Sequence, residues 1–154
     1  WVSVAAISAG RMAGVYFAFS GFIMRSFEQL GGSKAADAMN AINEVILRSW
    51  FMPLFFGSTL LYAALIVLAA FDSGLPGRWL LLSAGVIYVV GMFACTVAFN
   101  VPLNNRLAKA GDDEKAKAGM WARYYTVWTR WNHVRSVCSL AALVLSITYL
   151  VRHA

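Results

Sequence analysis

WFMPLFFGSTLLYAALIVLAAF, residues 50–71, decides the fold: 22 consecutive residues carry no charged side chain. A membrane-spanning helix uses about 20 predominantly apolar residues, so this run reads as one complete span. Residues 79–99 form a second uncharged run of similar length, and residues 1–24 a third, interrupted only by Arg11. A fourth, at 132–151, is apolar from Ser136 onward. The chain has 154 residues, 60% of them hydrophobic, and a mean hydropathy of +0.64, well above an ordinary soluble domain. Four spans take about 80 residues, leaving enough for three connections and one or two surface helices. The expected architecture is all-α: one transmembrane domain, 1–154, built as a four-helix bundle. The first segment lacks a basic leader region and carries Arg11 in its middle, so it is read as a span and not a signal peptide.

The connections have their own signals. Gly31-Gly32 breaks the first helix, and Ser33 is the expected N-cap of the next. There Ala35, Ala38, Met39, Ile42, Val45 and Ile46 recur at helical spacing, with polar residues between them. That pattern predicts an amphipathic helix at the membrane surface between spans one and two. Residues 72–77, DSGLPG, make a tight turn. Pro102 marks the end of span three or a kink, because proline lacks the N–H a helix needs. Residues 111–114, GDDE, open a long helix that enters span four, with carboxylates suited to its N-terminus. Ala6, Gly10, Gly14 and Ala18 recur every four residues on span one and form a small-residue face. Such a face admits close helix approach, within the chain, in a homo-oligomer or in a larger membrane complex.

The formal charge of +6 does not indicate nucleic-acid binding, because the basic residues cluster in connections beside apolar runs. Arg25, Lys34, Arg48, Arg106, Lys109, Lys115, Lys117, Arg123 and Arg130 fall on one side, against Arg78 and Arg152 on the other. The positive-inside tendency puts connections 25–49 and 100–131 in the cytoplasm and both termini outside, as in a multi-pass protein of a bacterial cytoplasmic membrane. Cys95 and Cys138 lie inside apolar segments and read as small hydrophobes.

Polar residues at membrane depth need a partner or a purpose, and here they gather. Asn40, Asn43 and Glu44 lie on the amphipathic helix, Asn100, Asn104 and Asn105 at the exit of span three, and Asn132, His133 and Arg135 at the entry of span four. The predicted topology brings all three groups to one boundary. Tyr124, Trp128, Asn132 and Arg135 share a helix face, with His133 one step round. Either these groups tie helix ends to one another and to headgroups, or they line a pocket with an aromatic wall and a polar floor. Arg11 falls near mid-bilayer and faces water, an anionic ligand or another subunit, unless Glu44 reaches it. Two histidines, one of them near the C-terminus, cannot supply bis-His haem ligation or a multi-His metal site. P-loop, GxGxxG and GxSxG motifs are absent from the sequence.

Four segments, GVYFAFS at 14–20, AMNAIN at 38–43, NVPLN at 100–104 and WTRWNHVR at 128–135, resemble the anthrone oxygenase-like family of membrane proteins. The resemblance covers nearly the whole chain. It implies oxidation of an apolar polycyclic anthrone to an anthraquinone by O2, with neither metal nor flavin. For that chemistry the expected site has His133 as general base, with Asn132, Asn100 and Arg135 holding the developing phenolate. Trp128, Trp131 and Tyr124 would pack the rings, with Asn43, Asn104 and Arg11 as further substrate contacts. From the residues alone, a non-catalytic accessory membrane subunit and a binder of lipid or quinone-like ligands stand beside this reading.

Overall fold

A computed structural model describes residues 1–153 as five helices. They are α1 (Val2–Glu28), α2 (Gly32–Ile46), α3 (Phe51–Phe71), α4 (Arg78–Ala108) and α5 (Glu114–His153). All except α2 are long and apolar enough to cross a membrane, and the chain is a multi-pass membrane protein. Helix α3 has 21 residues, about 31 Å, which matches a hydrocarbon core of about 30 Å. Helix α5 has 40, about 60 Å, so half of it rises beyond the bilayer. There it forms the post against which α2 and the ends of α1 and α4 pack.

Two apolar cores divide the molecule along its length. One lies within the spans and contains Ala5, Ala9 and Met12 of α1, Phe55, Tyr62 and Leu65 of α3, Ala84, Tyr88 and Met92 of α4, and Ala142 of α5. The other lies at the α2 end, where Met24, Ala35, Ala36, Met39, Leu103 and Leu107 surround Trp121, Tyr124 and Trp128. Inside the first core, hydroxyls satisfy one another across helices: Tyr88 donates to Ser58 at 2.8 Å, and Tyr62 pairs with Ser146 at 3.1 Å. Such pairing removes the cost of bare polar groups in an apolar medium.

Several local expectations change. Ser33 is not the N-cap of α2; Gly31 occupies that position with φ of 85°, a conformation glycine adopts without a Cβ penalty. Helix α2 does not simply lie on the membrane surface. Its Ala35, Ala36 and Met39 are buried against neighbouring helices, a Cβ on Gly32 would stand 3.0 Å from Ala118 Cα, and Lys117 pairs with Asp37 at 2.8 Å. The helix that carries span three continues past Phe99, since α4 runs through Pro102 to Ala108. The turn before the proline is widened over Thr96–Asn100, where the Val101 N–H reaches the Thr96 carbonyl. This π-type turn accommodates the donor that Pro102 cannot supply. The carboxylates at the start of α5 act as expected, with Asp113 Oδ1 accepting from the N–H groups of Lys115 (2.9 Å) and Ala116 (3.2 Å). Of the small-residue face, Ala6 is buried and Gly10 packs on Leu143, whereas Gly14 is open.

Close helix contact instead depends on Gly85 and Gly91 of α4. A Cβ at Gly85 would meet Ile66 Cγ1 and stand 2.9 Å from the Tyr62 carbonyl oxygen; at Gly91 it would collide with Cys138. Gly85→Ala is therefore expected to destabilise the bundle by about 1–3 kcal/mol, the range for overpacking, despite alanine's better helix propensity. Gly14→Ala, with open space around it, should be neutral or slightly stabilising. Thermal unfolding of both variants in the same detergent checks the contrast.

Candidate functional site

Where the two cores part, the bundle encloses a cavity of about 420 Å³. All five helices contribute to its wall. Val15, Tyr16 and Phe19 come from α1, Asn40 and Asn43 from α2, Phe51 and Phe55 from α3, Thr96 and Asn104 from α4, and Trp128 and Arg135 from α5. Exposed residues at the rim are Glu44 on α2, Leu47 just beyond its end, and Val101, Asn105 and Ala108 on α4. A mostly apolar wall with a few convergent polar groups is the usual makeup of a small-molecule site.

Arg135 dominates its chemistry. The side chain is 5% exposed, and among the described residues no carboxylate lies within ion-pair distance. One terminal nitrogen donates to Asn132 Oδ1 at 2.6 Å and the other to Thr96 Oγ1 at 3.4 Å, while Nε has no partner. The guanidinium lies over two rings, 4.3 Å from the Tyr16 centroid and 5.0 Å from Trp128. A guanidinium carries five N–H donors, so this one keeps unused donors at the cavity wall. Asn132, fully buried, fixes it in place by donating to the Tyr16 carbonyl at 2.6 Å and to Ser20 Oγ at 2.5 Å.

Behind Trp128, which lines the cavity, the aromatics of α5 form a column. Trp121, Tyr124 and Trp128 follow at intervals of three and four residues, with ring centroids 5.7 and 5.9 Å apart. Phe19 abuts Trp128 at 5.6 Å. Asn104 Oδ1 locks two of these rings, accepting from Tyr124 Oη at 2.8 Å and Trp128 Nε1 at 3.0 Å. Across the cavity two buried amide atoms, Asn40 Oδ1 and Asn43 Nδ2, have no partner.

The structure thus gathers Trp128, Arg135, Asn43 and Asn104 on the cavity wall, with Tyr124 and Asn132 directly behind them. The other expected site residues lie elsewhere. His133 is exposed and does not line the cavity. Trp131 stacks on Phe99 at 3.6 Å outside the cavity, and Asn100 is buried between helices with its amide on the Trp128 carbonyl. Arg11 is exposed and does not line the cavity, and among the described residues no ion pair joins it to Glu44. Phe55 and Thr96 line the cavity without any sequence signal, since rings and hydroxyls in spanning helices look like ordinary apolar-segment residues; Tyr16 lies in the GVYFAFS segment but is not among the expected site residues. Glu44 and Asn40 were visible as polar residues on α2, but their direction was not.

Residues 49–145, well over half of the chain, match a family model described as Anthrone oxygenase. The chain belongs to the anthrone oxygenase family. No curated protein and no solved structure gives a significant match. The matched region covers α3, α4 and the Trp128–Arg135 segment of α5, so it includes both the aromatic column and the buried guanidinium.

Asn132 is expected to stabilise the fold through Arg135 as well as through its own bonds. Replacing it with alanine removes its bonds to the Tyr16 carbonyl and Ser20 and strands one guanidinium donor, at about 1–3 kcal/mol for that buried group left unsatisfied. Asn132→Asp keeps the acceptor for Arg135 but loses the donor to Tyr16, and should fall between wild type and Asn132→Ala. The three unfolding midpoints, measured in parallel, give the order.

Proposed function

We propose that the protein is a metal- and flavin-independent oxygenase acting on an apolar, flat polycyclic ketone of the anthrone type. Supporting this are the family membership and, above all, one observation: a buried, acid-free Arg135 faces an aromatic-walled cavity. An anthrone loses a proton from the ring carbon opposite its carbonyl because the resulting anion is an aromatic phenolate. The carbanion form of that anion is electron-rich enough to reduce O2 directly. An enzyme for this reaction has to hold the rings, take the proton and stabilise the oxyanion.

Arg135 takes the last role. Its free donors bind the carbonyl oxygen and strengthen their hold as negative charge builds there, which favours the transition state over bound substrate. Trp128 and Phe19 contact the ring faces, while Phe51 and Phe55 close the apolar side. The reaction balances without an external reductant. The ring CH2 becomes C=O, one oxygen atom stays in the product, and the other leaves as water. Four electrons pass from carbon to O2. By the excess of basic residues, the α2 end faces the cytoplasm. The cavity mouth then lies near the inner membrane boundary, where apolar Leu47, Val101 and Ala108 admit a membrane-dissolved substrate.

Oxygen uptake by the purified protein with a hydroxylated anthrone tests the reading, against a no-protein blank because anthrones autoxidise. Wild type should exceed the blank, and Arg135→Gln should lose about 10²-fold or more of that excess, as when an oxyanion donor is removed. His133→Ala should retain the wild-type rate. Saturable binding of the anthrone with no excess oxygen uptake would instead indicate a carrier of polycyclic or quinone-like ligands.

A further inference from the structure

The oxygenase reading leaves the departing proton without an acceptor, and the following assignment rests on that reading. Of the cavity-lining residues only Tyr16, Glu44 and Arg135 titrate. Arg135 is a cation throughout and cannot serve as a base. Tyr16 is buried under the guanidinium and already donates its hydroxyl to Met92 Sδ at 3.3 Å. Glu44 remains. Its side chain is exposed at the rim, and among the described residues no cation pairs with it, so it is free to act as a carboxylate.

Its placement suits the task. Asn40, Asn43 and Glu44 stand at i, i+3 and i+4 on α2, one helix face, and all three line the cavity. Arg135 reaches the same cavity from α5. In an anthrone the acidic C–H lies across the central ring from the carbonyl, so base and oxyanion holder belong on different walls. The unpartnered Asn40 Oδ1 and Asn43 Nδ2 lie beside the carboxylate and offer a polar lining where peroxide oxygens form.

We propose that Glu44 is the general base of this site. Its carboxylate takes the proton from the ring CH2, and the C–H electron pair moves through the ring onto the oxygen held by Arg135. The carbanion form passes one electron to O2, the two radicals join in a C–O bond, and the Glu44 proton moves to the terminal peroxide oxygen. The regenerated carboxylate removes the second C–H proton. That electron pair forms C=O, the O–O bond breaks, and the departing hydroxide recovers the proton as water.

The proton step can be read without oxygen. Anthrone is incubated anaerobically with the protein in D2O and detergent, and deuterium uptake at the ring CH2 is followed by NMR over a protein-free blank. Wild type is expected to accelerate exchange, with a rate that rises as a carboxyl group ionises. Glu44→Gln should lose about 100-fold or more, within the range for a positioned general base, and should lose the pH dependence. Glu44→Asp should keep part of both and shows that the charge matters, not the fold. No exchange above blank in wild type, or equal exchange in Glu44→Gln, overturns the assignment. Oxygen uptake that is insensitive to Glu44→Gln would overturn it while leaving the oxygenase standing. Glu44-dependent exchange without oxygen uptake would support the base and remove the oxygenation.

Discussion

The contact between Arg135 and Asn132 is the constraint around which the rest of the molecule is arranged. A guanidinium cannot escape burial by losing its proton, and an ion removed from water costs several kcal/mol even after relaxation. Here no carboxylate offsets that cost among the described residues. The compensation comes from a carbonyl of Asn132, a hydroxyl of Thr96 and two aromatic faces. Because Asn132 also holds the Tyr16 carbonyl and Ser20, one polar knot fastens α1, α4 and α5 at a single level. The wide turns at Phe19–Ile23 and Thr96–Asn100 flank that level. Such turns shift side-chain direction without breaking a helix and frequently sit at functional sites.

Depth explains why the knot is tolerable. Eighteen residues separate Arg135 from His153, about 27 Å along α5, which places the guanidinium near the edge of a hydrocarbon core of about 30 Å. The cavity lies between the core within the spans and the core that α2 covers. A charged group there can accept an anionic partner arriving from the apolar side while its own support stays within the protein.

The spans were legible because an uncharged run of 22 residues admits one reading in water or membrane alike. The α5 face through Tyr124, Trp128, Asn132 and Arg135 was legible too, since helical spacing alone puts these residues in line. What spacing could not decide was which side of α5 the neighbouring helices cover. His133 and Arg135 are two residues apart, about 200° around the helix, and both are polar, so hydropathy cannot say which points inward. The same limit hid Tyr16 and Thr96. Pro102 left two readings open, a helix end or a kink; a widened turn upstream absorbs its missing donor, and nothing in residue composition announces that turn.

Helix α2 closes the site unevenly, and the unevenness has a consequence for access. Its first half is fastened by the Gly32–Ala118 approach, the Lys117–Asp37 pair and the buried Ala35, Ala36 and Met39. Its last turns have no such anchorage: Glu44, Val45 and Leu47 are exposed. Local opening follows the elements with the fewest buried contacts, so widening starts at residues 43–47 and not at the floor. Arg135, Asn132 and the aromatic column hold their geometry while that rim moves. On the proposed function, a flat ligand enters past Leu47 and Glu44 and leaves the support of Arg135 undisturbed.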